Sequence, residues 1–141
     1  MSEVSLKKKV QVVVIAESQL LLFEFNNQLP NNYVGFQNIT GSVEGEESFY
    51  EAAVRELDEE AGIKASVIDI ELEFTFHDRW KNDCVEKIFL CHLNKIPEII
   101  LNEEHLYSKW VPVNDVKISD YTFPTNFEAF LAAKKFIEGG K

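Results

Sequence analysis

Apolar and polar residues change rhythm several times along this chain, and each change marks an element. Lys9 to Ala16 (KVQVVVIA) is a β-branched run, the pattern of a strand buried on both faces. Glu17 and Ser18 interrupt it, and Gln19 to Phe25 (QLLLFEF) continues it, which predicts a β-hairpin. Asn26 to Asn32 is rich in turn formers and reads as an exposed loop, either a substrate contact or a plain connection. Tyr33 to Thr40 predicts a short strand. From Ser48 the period lengthens to three and four, so that Phe49, Ala52, Ala53 and Leu57 share one side of a helix. Ser48 and Glu51 supply the S-x-x-E capping box that opens this helix. Gly62 is its expected stop, since the residue past a last turn often needs a positive φ. Ala65 to Phe76 alternates again, with a break near Asp69, and Glu86 to Leu93 reads as the returning strand. His92 within it is expected to be packed rather than a metal ligand. Leu106 to Val113 predicts one more strand. A last helix opens at Phe123 to Asn126, with Phe127, Phe130, Leu131, Ala133 and Phe136 on its inward stripe.

Charge adds a second pattern to the first helix. Glu56 and Glu60 lie four apart and Glu59 three from Glu56, so their carboxylates share a side, and Glu44 and Glu47 arrive from the preceding loop. Carboxylates crowded in this way repel one another unless a cation fills the gap. An all-oxygen set suits a hard ion, Mg²⁺ or Mn²⁺, better than zinc. The alternative is a solvated acidic face. Arg55 weighs against it, because a guanidinium among acids orients a ligand carboxylate by a two-pronged hydrogen bond. The formal net charge of −10 argues against a nucleic-acid polymer or an anionic membrane as partner. A phosphorylated small molecule must then be received by metal and local basic groups. Only two cysteines, Cys84 and Cys91, with no CxxC and no secretory signal, predict reduced thiols in a cytoplasm. At 141 residues, with 45% hydrophobic and 27% charged content, one globular domain spanning 1–141 is expected.

Residues Gly41 to Ile63 (GSVEGEESFYEAAVRELDEEAGI) resemble the Nudix hydrolases. That family carries G-x5-E-x7-R-E-U-x-E-E-x-G-U, with U a bulky aliphatic. Gly41, Glu47, Arg55, Glu56, Leu57, Glu59, Glu60, Gly62 and Ile63 satisfy every specified position. Average composition would produce such a match with a probability on the order of 10⁻⁷. The resemblance implies an α/β/α sandwich, a mixed β-sheet between the Nudix helix and a C-terminal helix. It implies a divalent-metal hydrolase acting on a nucleoside diphosphate linked to another group. On that basis Glu56, Glu59, Glu60, Glu44, Glu47 and Gly41 are the metal set, and Arg55 and Glu59 take catalytic roles.

FQNITGSVEGEE is similar to the entry of the dihydroneopterin triphosphate and dATP pyrophosphohydrolase branch, and implies that Gln37, Asn38 and Thr40 line the substrate side. Phe36 stands where that branch has tryptophan, and Glu24-Phe25-Asn26 replaces its basic pair. Glu104, His105, Leu106 and Trp110 match the branch's E-H-L-x-x-x-W segment, which implies Glu104 as an outlying metal ligand or base, with Glu103 and His105 as alternatives. Arg79 and Trp80, in a polar turn, offer a phosphate partner and a stacking face, or are simply solvated. Tyr121, Phe123 and Asn126 lie near the branch's terminal helix start, where a structural role is expected of them. Three functions follow from the resemblance: nucleoside triphosphate pyrophosphohydrolysis, hydrolysis of dinucleoside polyphosphates or nucleotide sugars, and nucleotide sensing without cleavage. The intact carboxylates count against sensing. The oligomeric state stays open, a homodimer being common among proteins of this kind.

Overall fold

The computed structural model describes residues 6–24, 36–77, 81–101 and 107–139. Strand β1 (Leu6–Ala16) is the axis of the sheet. Its side chains alternate between two cores: Val10, Val12 and Val14 enter one, and Val13 and Ile15 the other. Burial on both faces is what the uninterrupted β-branched run predicts. Glu17 and Ser18 both take positive φ, 50° and 60°, a tight turn whose twist suits the hairpin to β2 (Gln19–Glu24).

The chain passes from β3 (Phe36–Gln37), paired with β2, to β4 (Ile39–Ser42), paired antiparallel with the other end of β1. The expected single strand from Tyr33 is therefore broken at Asn38, and it runs on past Thr40; residues 33–35 lie outside the described ones. Strand β5 (Ile68–His77) forms a hairpin with β6 (Asp83–Leu93), which lies parallel to β1 along its whole length. The break anticipated near Asp69 is a bulge between Asp69 and Leu72, where Glu71 adopts φ 58° and its N–H bonds the Asp69 carboxylate. Strand β7 (Ser108–Pro112) closes on β2. The result is one mixed sheet.

Helix α1 (Phe49–Ala61) covers one face and α2 (Pro124–Gly139) the other. Both halves of the Ser48–Glu51 capping box are present at the start of α1. Gly62 ends it at φ 69°, and a Cβ there would come within 2.9 Å of the Ile100 Cβ, so conformation and space both exclude a side chain. Ala52, Ala53, Leu57 and Ala61 are fully buried on the sheet side; burying Leu57 alone stabilises the pair by roughly 2 kcal/mol. In α2 the buried residues are Asn126, Ala129, Phe130 and Ala133. Leu131, expected on that stripe, is 45% exposed, because one step of about 100° from Phe130 carries it off the stripe. His92 is also exposed rather than packed. Both cysteines are buried and free. Among the described residues no helix is long and apolar enough to cross a membrane.

Candidate active site

Strand β4 delivers Gly41 opposite Val10, and the turn that follows leads into α1 within seven residues. The next turns of that helix fold back over β4. Gly41 is where they meet, since a Cβ on it would overlap the Glu56 carboxylate. The glycine of the signature thus has a steric cause: it leaves room for a carboxylate against the backbone.

Arg55 organises the other acids. Its Nε and Nη2 donate to the two oxygens of Glu47 at 2.6 and 2.9 Å, a two-pronged pair. Nη1 donates to Glu56 at 3.1 Å and to Glu59 at 3.2 Å, and Nη2 also reaches the Ser42 carbonyl at 2.8 Å. Glu44 lies 3.9 Å from Nη1, its side chain largely exposed, and its backbone N–H donates to Glu47. The Arg55 bond and the Glu44 N–H hold the Glu47 carboxyl down at about 2. Its position as an anchor for the arginine follows from those same bonds.

Glu56 and Glu60 are the buried pair, 9% and 1% exposed. Burial, and then the hydrogen bond and charge of Glu60, push the Glu56 carboxyl up to about 8, against the pull of Arg55. Two acids packed together in this way take a proton or a cation. Their oxygen donors and the charge left over after Arg55 fit a hard divalent ion. Among the described residues no three His, Cys, Asp or Glu side chains are yet gathered tightly enough to coordinate one. Arg55 draws Glu47 and Glu59 towards itself, which accounts for the looser arrangement.

The residues expected to meet the substrate divide. Thr40 is half-buried beside Gly41. Gln37 and Asn38 are both buried. At 1% exposure Asn38 donates to Gln11 Oε1 at 2.7 Å and to the Asn126 carbonyl at 3.1 Å, while its Oδ1 accepts from the Tyr121 hydroxyl. Its backbone N–H bonds Asn126 Oδ1, so Asn38 ties the break between β3 and β4 to α2, and Tyr121 and Asn126 hold it there. Glu104, its alternatives Glu103 and His105, and Arg79 and Trp80 lie outside the described residues.

Two features escaped the sequence reading. Lys7 and Lys8 line a cleft of about 440 Å³ with Ser42, Val43, Gly45 and Glu47, placing cations beside the signature loop. Gln11 and Glu86 are buried and joined at 3.0 Å. The signal for the second was a polar residue inside an otherwise apolar strand.

The family model for the NUDIX domain matches residues 6–132. A comparison with curated protein sequences finds no match. Among solved structures, the E. coli dihydroneopterin triphosphate pyrophosphohydrolase is 24% identical, with 94% of this chain and 95% of that one covered, at TM-score 0.76. A C. elegans Ap4A hydrolase is 21% identical over 94% and 98%, at 0.78. The NUDIX domain of Shewanella oneidensis NrtR, crystallised with ADP ribose, is 15% identical over 94% and 89%, at 0.76. These likenesses show the fold, the sandwich expected of the sequence. With the family match over nearly the whole chain and the signature assembled around Arg55, the chain belongs to the NUDIX family of hydrolases.

Proposed function

We propose that this protein hydrolyses a nucleoside triphosphate-like substrate, such as dihydroneopterin triphosphate or dATP, to a monophosphate and pyrophosphate with Mg²⁺ or Mn²⁺. The observation that carries the reading is the Gly41 slot: Glu56 held against the backbone beside buried Glu60, with Arg55 fixing the surrounding acids. Glu56 and Glu60 would hold the ion, Glu59 and Glu44 would complete its shell directly or through water, and Gly41 gives them access. A bound divalent ion there supplies charge neutralisation at the phosphate oxygens and a lowered pKa for attacking water. Arg55 Nη1 holds one oxygen each of Glu56 and Glu59 and would steer their remaining lone pairs towards the ion as it draws them together. Glu47 keeps Arg55 in place. Lys7 and Lys8 offer positive charge to the leaving phosphates from the adjoining cleft. Glu104 is the proposed base, on the strength of the E-H-L-x-x-x-W resemblance. The substrate would be received from a soluble compartment, the cytoplasm being the simplest for free thiols. The chain is proposed to act as one domain.

The test is phosphate and pyrophosphate release with Mg²⁺ over a panel of dihydroneopterin triphosphate, common nucleoside triphosphates, diadenosine tetraphosphate, ADP-ribose and nucleotide sugars. Pyrophosphate from one triphosphate well above the rest is the expected result. Cleavage only of the dinucleotide or the sugars would transfer the assignment to those substrates. Binding without cleavage would make this a sensor. Glu60→Gln is the control, expected to lose at least about 100-fold in turnover with circular dichroism unchanged. Near-normal turnover in that variant would refute the site.

A further inference from the structure

Strand β4 must bring a residue without a side chain to the Glu56 carboxylate, because a Cβ at Gly41 would overlap it. The apolar pattern of the strand does only part of this. Ile39 and Val43 both pack into the core beneath α1, with Gly41 between them on the same face. Their alternation excludes a slip of one residue, which would turn Thr40 and Ser42 inward. A slip of two residues buries the same face. It would set Ile39 or Val43, instead of Gly41, opposite Val10 and into the Glu56 carboxylate. Strand β4 is only four residues long, so its own ladder resists such a slip weakly.

What resists it is the residue before the strand. Asn38 Nδ2 donates to Gln11 Oε1 at 2.7 Å and to the Asn126 carbonyl at 3.1 Å, and its Oδ1 accepts from the Tyr121 hydroxyl at 2.8 Å. Its backbone N–H donates to Asn126 Oδ1 at 2.9 Å. The polarity of the set is forced. A backbone carbonyl only accepts, so Asn38 must turn Nδ2 towards Asn126. An ionised carboxylate also only accepts, so Gln11 turns Nε2 to Glu86, 3.0 Å away, and leaves Oε1 for Asn38. Gln11 is itself the register partner of Thr40 and lies in β1, which β6 holds along its whole length. A two-residue slip would carry Asn38 about 7 Å along β1 and leave its buried partners unpaired, the costly outcome for polar groups. Resting on the Gly41 slot as the seat of the ion, we propose that Gln11 and Asn38 are positioning residues of the metal site. With Glu86 orienting Gln11, they pin the register of β4 on β1 and so hold Gly41 against Glu56. They act through the backbone of β4, from the α2 side of the sheet.

The experiment exchanges the two ends of the Gln11–Glu86 bond. Gln11→Glu sets two buried carboxylates against each other and should release the pin. Adding Glu86→Gln restores one amide and one carboxylate in reversed order. The carboxylate at position 11 then accepts from Asn38 and from the amide at position 86. Mn²⁺ affinity is read by electron paramagnetic resonance without substrate, and the register by cross-strand nuclear magnetic resonance contacts between Val10 and Gly41. In Gln11→Glu the affinity is expected to fall by about tenfold and the Val10–Gly41 contact to weaken. The double exchange is expected to restore both. Should Gln11→Glu fold poorly, Gln11→Leu removes the acceptor without adding a charge and is expected to act in the same sense. A lower melting temperature with unchanged Mn²⁺ affinity in a folded Gln11 variant would make the network structural only and overturn the proposal. Lost affinity with the Val10–Gly41 contact intact, or a folded double variant that stays weak, would overturn it too. A wild type that hydrolyses no triphosphate, with Mn²⁺ affinity moving as expected, would defeat the function above and leave the pin standing. Full turnover and Mn²⁺ affinity in Gln11→Leu would do the reverse.

Discussion

The N–H groups of Arg55 are divided among Glu47, Glu56, Glu59 and the Ser42 carbonyl, acids and a dipole that would otherwise repel one another. What the arginine cannot neutralise is the Glu56–Glu60 pair, and this has a measurable consequence. In the metal-free protein the Glu56 carboxyl stands near 8, above its ordinary value of 4.5. A folded state that binds an extra proton is stabilised at low pH and loses that stability as the proton leaves. The Glu56 contribution is therefore complete below 4.5 and declines as pH rises towards 8. Glu47, held down at about 2, works in the opposite sense but only below 4.5, as pH falls through about 2, so the two windows do not overlap. Thermal melts in EDTA should lose midpoint between about pH 5 and about pH 8, and Mg²⁺ should flatten the loss by replacing the proton. A melting temperature equally flat with and without Mg²⁺ would contradict the buried pair as the ion's seat. The roles of Glu56, Glu60 and Arg55 as a charge cluster were legible from their spacing. The division of labour, with Glu47 as anchor and Glu56 as slot, needed side-chain positions.

At the scale of elements, the site is a packing contact between β4 and α1. The capping box and Gly62 set the two ends of α1, and Ala52, Ala53, Leu57 and Ala61 set its depth. Short side chains on that face let the helix approach until Glu56 meets Gly41. Gly41→Ala should fold, since the clash is with the end of a flexible side chain, but it should displace the Glu56 carboxylate. Mn²⁺ affinity, read by titration with electron paramagnetic resonance, should weaken by about 10–100-fold, with turnover falling in parallel. Unchanged affinity would show that the glycine serves the chain and not the ion. These element ends could be read from Ser48, Glu51 and Gly62. The break of the preceding strand at Asn38 could not, because it is caused by partners on β1 and α2 that are 27 and 88 residues away in sequence.

Over the whole molecule the field is negative, and the substrate class is an anion. The net charge of −10 repels a polyphosphate everywhere except at cations local to the site, such as Lys7 and Lys8 beside the signature loop. Salt screens the long-range repulsion more than the short contacts. Raising ionic strength from about 0.01 to about 0.1 M shortens the Debye length from roughly 30 to 10 Å. With Mg²⁺ saturating, kcat/KM for a triphosphate should rise over that range. A steep fall would mean that the lysine cleft, and not the overall charge, governs encounter.

What the sequence determined by itself was everything that depends on neighbours along one chain segment: strand and helix periods, caps, and a nine-position signature whose carboxylates must share a helix face. Helical geometry ties such spacings to space without help from the rest of the fold. The tertiary structure decided what lies between segments. It set Gly41 against Glu56, sent Leu131 outward, buried Asn38, and joined Gln11 on β1 to Glu86 on β6, 75 residues later. Burial and hydrogen-bond partnership are properties of strands brought side by side, and in Gln11 only the polarity of one residue in an apolar run announced them.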